Sequence, residues 1–304
     1  MAMLIPGRTQ LKARLRTTLI ALLTRETETP VDYDQPRGDA GLFGPRSLTW
    51  KVHADFPGMM AGGVCALMLQ TLHPRALAGV YDHSNFREDL MGRLRRTTAF
   101  VAATSYAPQA EAARMIARVA QIHTRVRGVT ADGLPYSAAD PDLLTWVHVT
   151  EMSSFLAGFQ RYRGETLTPA ARDRYYRETA RVAEMLGARR VPKSAAAVAR
   201  YFARVQPELR FDARSREVLE VLQNIAVPVA GGVLAREVFI GAGAVLLPDW
   251  AATLMRRTRL QRLRAEAAAR SLQLAGPALR AALSDGVVAR SCRRMAVDPK
   301  RFQP

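Results

Sequence analysis

Apolar positions recur with a helical period along most of this chain. The clearest case is Gln109 to Gly128, where Ile116, Val119, Ala120, His123 and Arg127 fall at i, i+3, i+4, i+7 and i+11 of one face. Met115, Ile122 and Val126 flank that face, while Arg114, Arg118 and Arg125 point mostly away from it. Gly128 stands where a C′ glycine would close the helix, and Arg125 and Arg127 occupy the last turn, where the helix dipole favours cations. The spacing predicts one helix over 109–128 with a single imidazole, His123, on its apolar side. Such a histidine is either a hydrogen-bonded core residue or a ligand.

Proline and capping signals delimit the other elements. Ser47 is placed to cap a short helix through Trp50–Val52. The run from Pro57 to Gln70 is small and apolar, and Gly62, Gly63 and Ala66 permit close approach of another helix or of a flat ligand. His73–Pro74 stops that helix, because the residue before proline leaves the α region. Phe86 to Thr104 predicts a further helix, with Arg93, Arg96, Thr97 and Phe100 at i, i+3, i+4 and i+7. Arginines that share a face with an aromatic ring need an anionic partner if buried; at the surface, Glu88 and Asp89 could pair with Arg95 and Arg96 instead. Asp140–Pro141, Thr168–Pro169 and Ser194 each start a helix.

The C-terminal third is more apolar and more basic. Arg236 and Glu237 interrupt the stretch Ile225–Trp250, so it reads as buried or surface-lying helices and not as a span. Trp250–Ala275 predicts an arginine-rich amphipathic helix, and Arg290–Pro304 a basic, partly disordered end. With no sustained period-two pattern, the fold class is all-α. The expected layout is an N-terminal amphipathic helix and loop at 1–40, a helical domain at 41–250, and a basic C-terminal helix and tail at 251–304.

Composition changes this picture little. The 304 residues carry a formal net charge of +17, nearly all of it arginine, since the only lysines are Lys12, Lys51, Lys193 and Lys300. Bases and acids are interleaved except near Arg256–Arg264 and Arg290–Arg294, so no specific nucleic-acid partner is expected. The charge also motivates a membrane-surface reading, a peripheral contact and not an insertion. Cys65 and Cys292 are far apart and form neither a disulfide framework nor a zinc spacing, which fits a reducing, cytoplasmic setting. The apolar run LIALL at 19–23 is too short for a signal-peptide core.

All five histidines, His53, His73, His83, His123 and His148, lie in the first half on different elements, with no metal-protease spacing and no nucleophile elbow. Phosphate-binding and dinucleotide glycine fingerprints are absent too. What remains is an imidazole on an apolar helix face, a small-residue helix and arginines that face inward. Those are the parts of a haem pocket, and without CxxCH the haem would be b-type and non-covalent.

The runs GLFGP at 41–45, LQTLHP at 69–74, DHSNF at 82–86, RLRRT at 93–97 and HTRVRG at 123–128 together resemble the oxygenase family of mycophenolic acid protein B and latex-clearing protein, in its bacterial branch. The resemblance covers roughly Gly41 to Trp250. It implies an all-helical, globin-like core holding haem b, and a dioxygen-dependent reaction on a small apolar, isoprenoid-like substrate. His123 matches the family's proximal iron ligand and Arg127 the arginine four residues later. Arg93, Arg96 and Thr97 match its distal motif, in which latex-clearing relatives carry a lysine at the place of Arg96. That lysine can ligate iron, but a guanidinium keeps its proton and offers no neutral nitrogen. No counterpart of the family's carboxylate base is evident; Asp82, Glu88 and Asp89 are the carboxylates nearby. His148 is expected to be structural, a hydrogen-bonded or supporting imidazole. The alternative function is a haem-binding or redox-sensing helical protein without turnover.

Overall fold

A computed structural model describes residues 31–302 except 228 and 230, so the amphipathic helix expected within 1–30 lies outside the described residues. The order is α1 (Leu48–His53), α2 (Phe56–Gln70), α3 (Pro74–His83), α4 (Phe86–Tyr106), α5 (Gln109–His123), β1 (Arg127–Val129), β2 (Pro135–Ser137), α6 (Pro141–Arg163), α7 (Pro169–Leu186), α8 (Ala195–Val205), α9 (Ala213–Gln223), α10 (Gly232–Ala244), α11 (Asp249–Leu254), α12 (Arg259–Ala282) and α13 (Val287–Arg294). The fold is all-α, with one small hairpin. No helix among the described residues is long and apolar enough to cross a membrane.

Helices α2 and α6 form the centre. They run antiparallel and touch backbone to backbone, because glycines meet: a Cβ on Gly158 would lie 2.2 Å from the Gly58 carbonyl oxygen, and one on Gly62 would lie 2.7 Å from that of Ser154. Around this seam Met68, Leu69 and Leu72 of α2 and its C-terminal turn pack with Trp146, Phe155 and Phe159 of α6. Helix α10 repeats the device, since Gly243 lies against Val64 and Ala61, and Gly241 against Ala268 of α12. The small-residue run of α2 is thus explained by packing on several sides, the pattern of a helix buried all round. Asp55 caps α2 by accepting from Gly58 N at 2.9 Å and takes Arg280 Nε at 2.6 Å, which ties the end of α12 to the start of α2.

Several boundaries differ from the sequence reading. The helix expected over 109–128 ends at His123, with Thr124 as its cap. Gly128 does not close it in the left-handed region; it lies in β1 opposite Tyr136, and a Cβ there would sit 2.6 Å from the Tyr136 hydroxyl. Glycine is needed at 128 for a ring, not for a turn. Arg127 therefore leaves the His123 face and is exposed. The strands are three residues each, too short for alternation to be seen. The helix expected from Trp250 is broken into α11 and α12 at Arg256, whose φ is 53°.

From Arg290 to Phe302 the end expected to be partly disordered forms α13 and a packed turn. Arg294 is 1% exposed and donates to the carbonyls of Tyr33, Asp39 and Tyr106 at 2.7 to 2.9 Å. Arg290 and Arg293 pair with Asp34, and Phe302 packs its edge on Trp50. Basic residues that read as a solvated end are bound to backbone oxygens and carboxylates of residues 32–39.

Gly158→Ala should separate α2 from α6 and destabilise the protein by about 1–3 kcal/mol, measured by urea unfolding. Gly63→Ala, whose added methyl meets nothing closer than 3.9 Å, should be neutral or gain up to about 1 kcal/mol from helix propensity. Equal losses in both variants would show that the seam does not set the packing.

Candidate functional site

Helix α4 is two segments. At Asp89 the backbone leaves the helix (φ −136°, ψ 55°), and the Asp89 carboxylate accepts from Gly92 N at 2.8 Å, capping the segment that follows. A Cβ at 92 would lie 2.0 Å from that carboxylate, so any larger residue there would displace the cap. The segment restarts so that Arg93 is half-buried while Arg96 and Thr97 are exposed. Arg96 folds back to Asp89 at 3.6 Å with 47% of its side chain exposed. Thr97 Oγ1 donates to the Arg93 carbonyl at 3.2 Å. The inward face expected for all three belongs to Arg93 alone; the surface alternative holds for Arg96, which pairs with Asp89 but not with Glu88.

His123, the last residue of α5, is half-buried, and its Nδ1 is buried with no hydrogen-bond partner. Burial, and then the charge of Arg93, hold its pKa below the ordinary histidine value. The imidazole is therefore neutral near pH 7, the state that ligates metals. Burial and the neighbouring charge of Arg96 also press on the Arg93 guanidinium, and no carboxylate among the described residues pairs with it. A desolvated cation beside a neutral imidazole has an unmet need for a negative charge.

Arg127 is elsewhere. It lines an open depression of about 500 Å³ beside the hairpin, with Arg75, Tyr136 and Asp140. Arg75 pairs with Asp140 there at 3.1 Å. The structure thus unites His123 with Arg93 and leaves Arg127 apart.

A second polar group, on α1, α4, α6 and α7, contains His53, Ser105, His148, Glu151 and Tyr175. His53 Nδ1 is 2.7 Å from Ser105 Oγ, and its Nε2 is 3.0 Å from the Tyr175 hydroxyl. Burial drives His53 down to about 3 and His148, close enough to affect it, down to about 4. His148 is a buried ring close to His53, and no hydrogen bond to His148 is found among the described residues, so of the two structural roles expected the supporting one fits. Glu151, one turn further along α6, is pushed up to about 7 by burial, against a hydrogen bond from Gln70 that works the other way. Its own charge is felt by Tyr175.

Burial shifts His53, Arg93, His123 and Glu151, while part of each residue stays accessible. Helices α4 and α5 pack on each other while neither packs broadly on α2 or α6. Apolar side chains of the two pairs do meet at one end, where Val64 and Leu67 join Phe86, Leu90 and Leu94.

The candidate bases fare differently. Asp82 accepts from the Tyr136 hydroxyl at 2.8 Å and pairs with Arg214, Asp89 caps a helix, and Glu88 is exposed. Glu151 stands in the apolar middle of α6, between Val149 and Phe155, and tertiary packing shows its depth. Among the described residues no group of three or more His, Cys, Asp or Glu could hold a metal ion. Any metal here would rest mainly on one imidazole and a group the protein does not itself supply.

No curated protein and no solved structure matches this chain. Residues 50–281, from α1 through nearly all of α12 and so including His123, Arg93 and Glu151, match the catalytic domain described as ER-bound oxygenase mpaB/B′/rubber oxygenase. The match spans well over half of the chain and runs past the domain end expected at 250, and the chain accordingly belongs to this family of oxygenases.

Proposed function

We propose that the chain is a haem-b-dependent oxygenase that uses dioxygen on a small, apolar, unsaturated substrate of isoprenoid-like character. One observation carries the reading: a neutral His123 with an orphaned Nδ1 stands beside Arg93, a desolvated guanidinium without a carboxylate. The residues fit the group. His123 would hold the iron, and Arg93 would offer hydrogen bonds to a propionate or to dioxygen. Val64, Leu67 and Leu94, which pack with Phe86 and Leu90, would supply apolar surface. Bound haem supplies the activation of dioxygen.

The chain's own residues account for the rest. Arg93 can donate charge-assisted hydrogen bonds to an anion, a class worth about 1.5–3 kcal/mol. Thr97 engages the Arg93 carbonyl and Arg96 holds Asp89 at the kink, so both are assigned to positioning Arg93. Glu151 is the group that can hold or release a proton at its carboxyl oxygen near neutral pH, which is where acid–base work is efficient. His53, Ser105 and Tyr175 form a hydrogen-bonded chain in the same part of the fold.

Protein purified with adequate haem supply should show a Soret band. His123→Ala should lose it while His148→Ala keeps it, and the reverse result would sink the ligand assignment. Oxygen uptake with candidate alkenes separates turnover from haem binding or redox sensing alone.

Arg93→Ala should weaken haem retention on the order of tenfold, read by haem transfer to an acceptor globin. Arg96→Ala should change it little. A larger effect at 96 than at 93 would reverse the two roles.

The pH dependence of folding checks Glu151. Its folded pKa stands above its ordinary value of 4.5, at about 7. The folded state therefore keeps the proton longer, and this residue removes stability as pH rises between those values, by at most about 3 kcal/mol. His53 and His148 act oppositely, because their depressed values cost stability as pH falls below 6.5. Glu151→Gln should be more stable than the parent at pH ~8 and gain nothing at pH ~4 in urea unfolding. A constant difference across pH would show that Glu151 does not titrate in this range.

A further inference from the structure

The outward face of α12 is unlike the rest of the surface. Ala265, Ala269, Leu272 and Gly276 are buried, and α12 packs with this small-residue face on α10 and α2. On the side directly opposite, at i, i+3, i+7 and i+14, stand Leu260, Ala267 after Leu263, and Leu274. The three leucines are 56%, 68% and 85% exposed, among the most exposed large apolar side chains of the described residues. Val233 and Leu234 are also exposed, in the first turn of α10, the helix packed along α12. Scattered single leucines need no explanation, but a stripe that faces away from the core does.

Charge frames the stripe. Arg256, Arg259, Arg262, Arg264 and Arg270 are exposed on or just before α12. The one acid of the helix, Glu266, is held by Arg161 at 2.6 Å and lies off the leucine side. A helix with leucines outward, arginines on both flanks and no free acid is built to lie in an interface, where the leucines enter the acyl boundary and the guanidinium groups reach phosphates.

We propose that the outward face of α12 docks the protein on an anionic lipid surface, with the helix lying in the plane of the headgroups. The charge argues against the other occupants. A second copy would set these arginines against their own like. Residues 1–30 carry Arg8, Lys12, Arg14, Arg16 and Arg25 against Glu26 and Glu28, so they are basic as well. Among the described residues no helix is long and apolar enough to cross a membrane. The inference does not depend on haem or on turnover.

The experiment is flotation of the full chain with phosphatidylcholine vesicles and with vesicles in which a third of the lipid is phosphatidylglycerol. The expected result is binding to the anionic vesicles only, weakened by salt, and reduced roughly tenfold or more in Leu263→Asp/Leu274→Asp. These side chains are exposed, so circular dichroism and the thermal midpoint should not change. Should that variant misfold, Arg262→Glu/Arg264→Glu takes its place with the same expected loss. No binding by the parent overturns the proposal, as does equal binding to neutral vesicles. Undiminished binding by well-folded variants also overturns it, since residues 1–30 would then carry the contact. A dimer in solution that Leu263→Asp/Leu274→Asp dissociates overturns it in favour of a second copy.

Discussion

The backbone contact between α2 and α6 is the constraint on which the other helices depend. Two helices that meet through glycine lose the side-chain layer that normally separates their axes. Gly58, Gly62 and Gly158 allow this, and the bulk displaced from the seam is moved to its flanks, where Trp146, Phe155 and Phe159 fill the core. Asp55 fixes the start of α2 twice, as cap and as the ion-pair partner of Arg280. That pair is nearly buried on both sides. Its merit lies in fixing the end of α12 relative to the seam, since a buried ion pair adds little net stability.

A seam this tight has a consequence for the site. Once α2 and α6 close on each other and on α10, the α4–α5 pair is left to pack chiefly on α7, α1, α9 and the C-terminal helix. Arg93 and His123 lie on this pair, His53 on α1 and Glu151 on α6. Arg294 contributes from outside: three carbonyls on the Tyr33, Asp39 and Tyr106 segments end on one guanidinium, which holds the end of α4 beside both described termini.

What the sequence disclosed follows the physics of each signal. Caps and prolines are local, so Ser47, Asp140, Thr168 and Ser194 each mark a helix start that the structure keeps. Periodicity is local too, and it correctly placed His123 on a helix, but it overran the end. Val126 and Arg127 continue the pattern while their backbone pairs in a hairpin, and the reason for Gly128 is Tyr136, eight residues later. The arginine face failed for a related reason. Spacing treats α4 as straight, whereas Asp89 restarts it and takes Arg96 to itself. The burial of Glu151 and His53 could not be read locally, because desolvation is a property of neighbours such as Gln70 and Tyr175 that come from other helices. The family resemblance supplied what local rules could not, and the match over residues 50–281 upholds it; it did not supply the fold-back of Arg96.

Many buried polar groups are answered, Arg294 by carbonyls, Arg280 by Asp55 and His53 by two hydroxyls. Others, such as His73 Nδ1 and the Trp50 and Trp146 Nε1 atoms, have no partner among the described residues. His123 Nδ1 has no partner, and Arg93 keeps a desolvated charge without a carboxylate. Each such group costs about 1–3 kcal/mol in the free protein. A ligand that answered both would bind the folded state alone, so its affinity would return as stability in proportion to RT ln(1 + [L]/Kd). Folding and the loading of such a ligand would then be linked, with the glycine seam and its flanking core holding the free protein together.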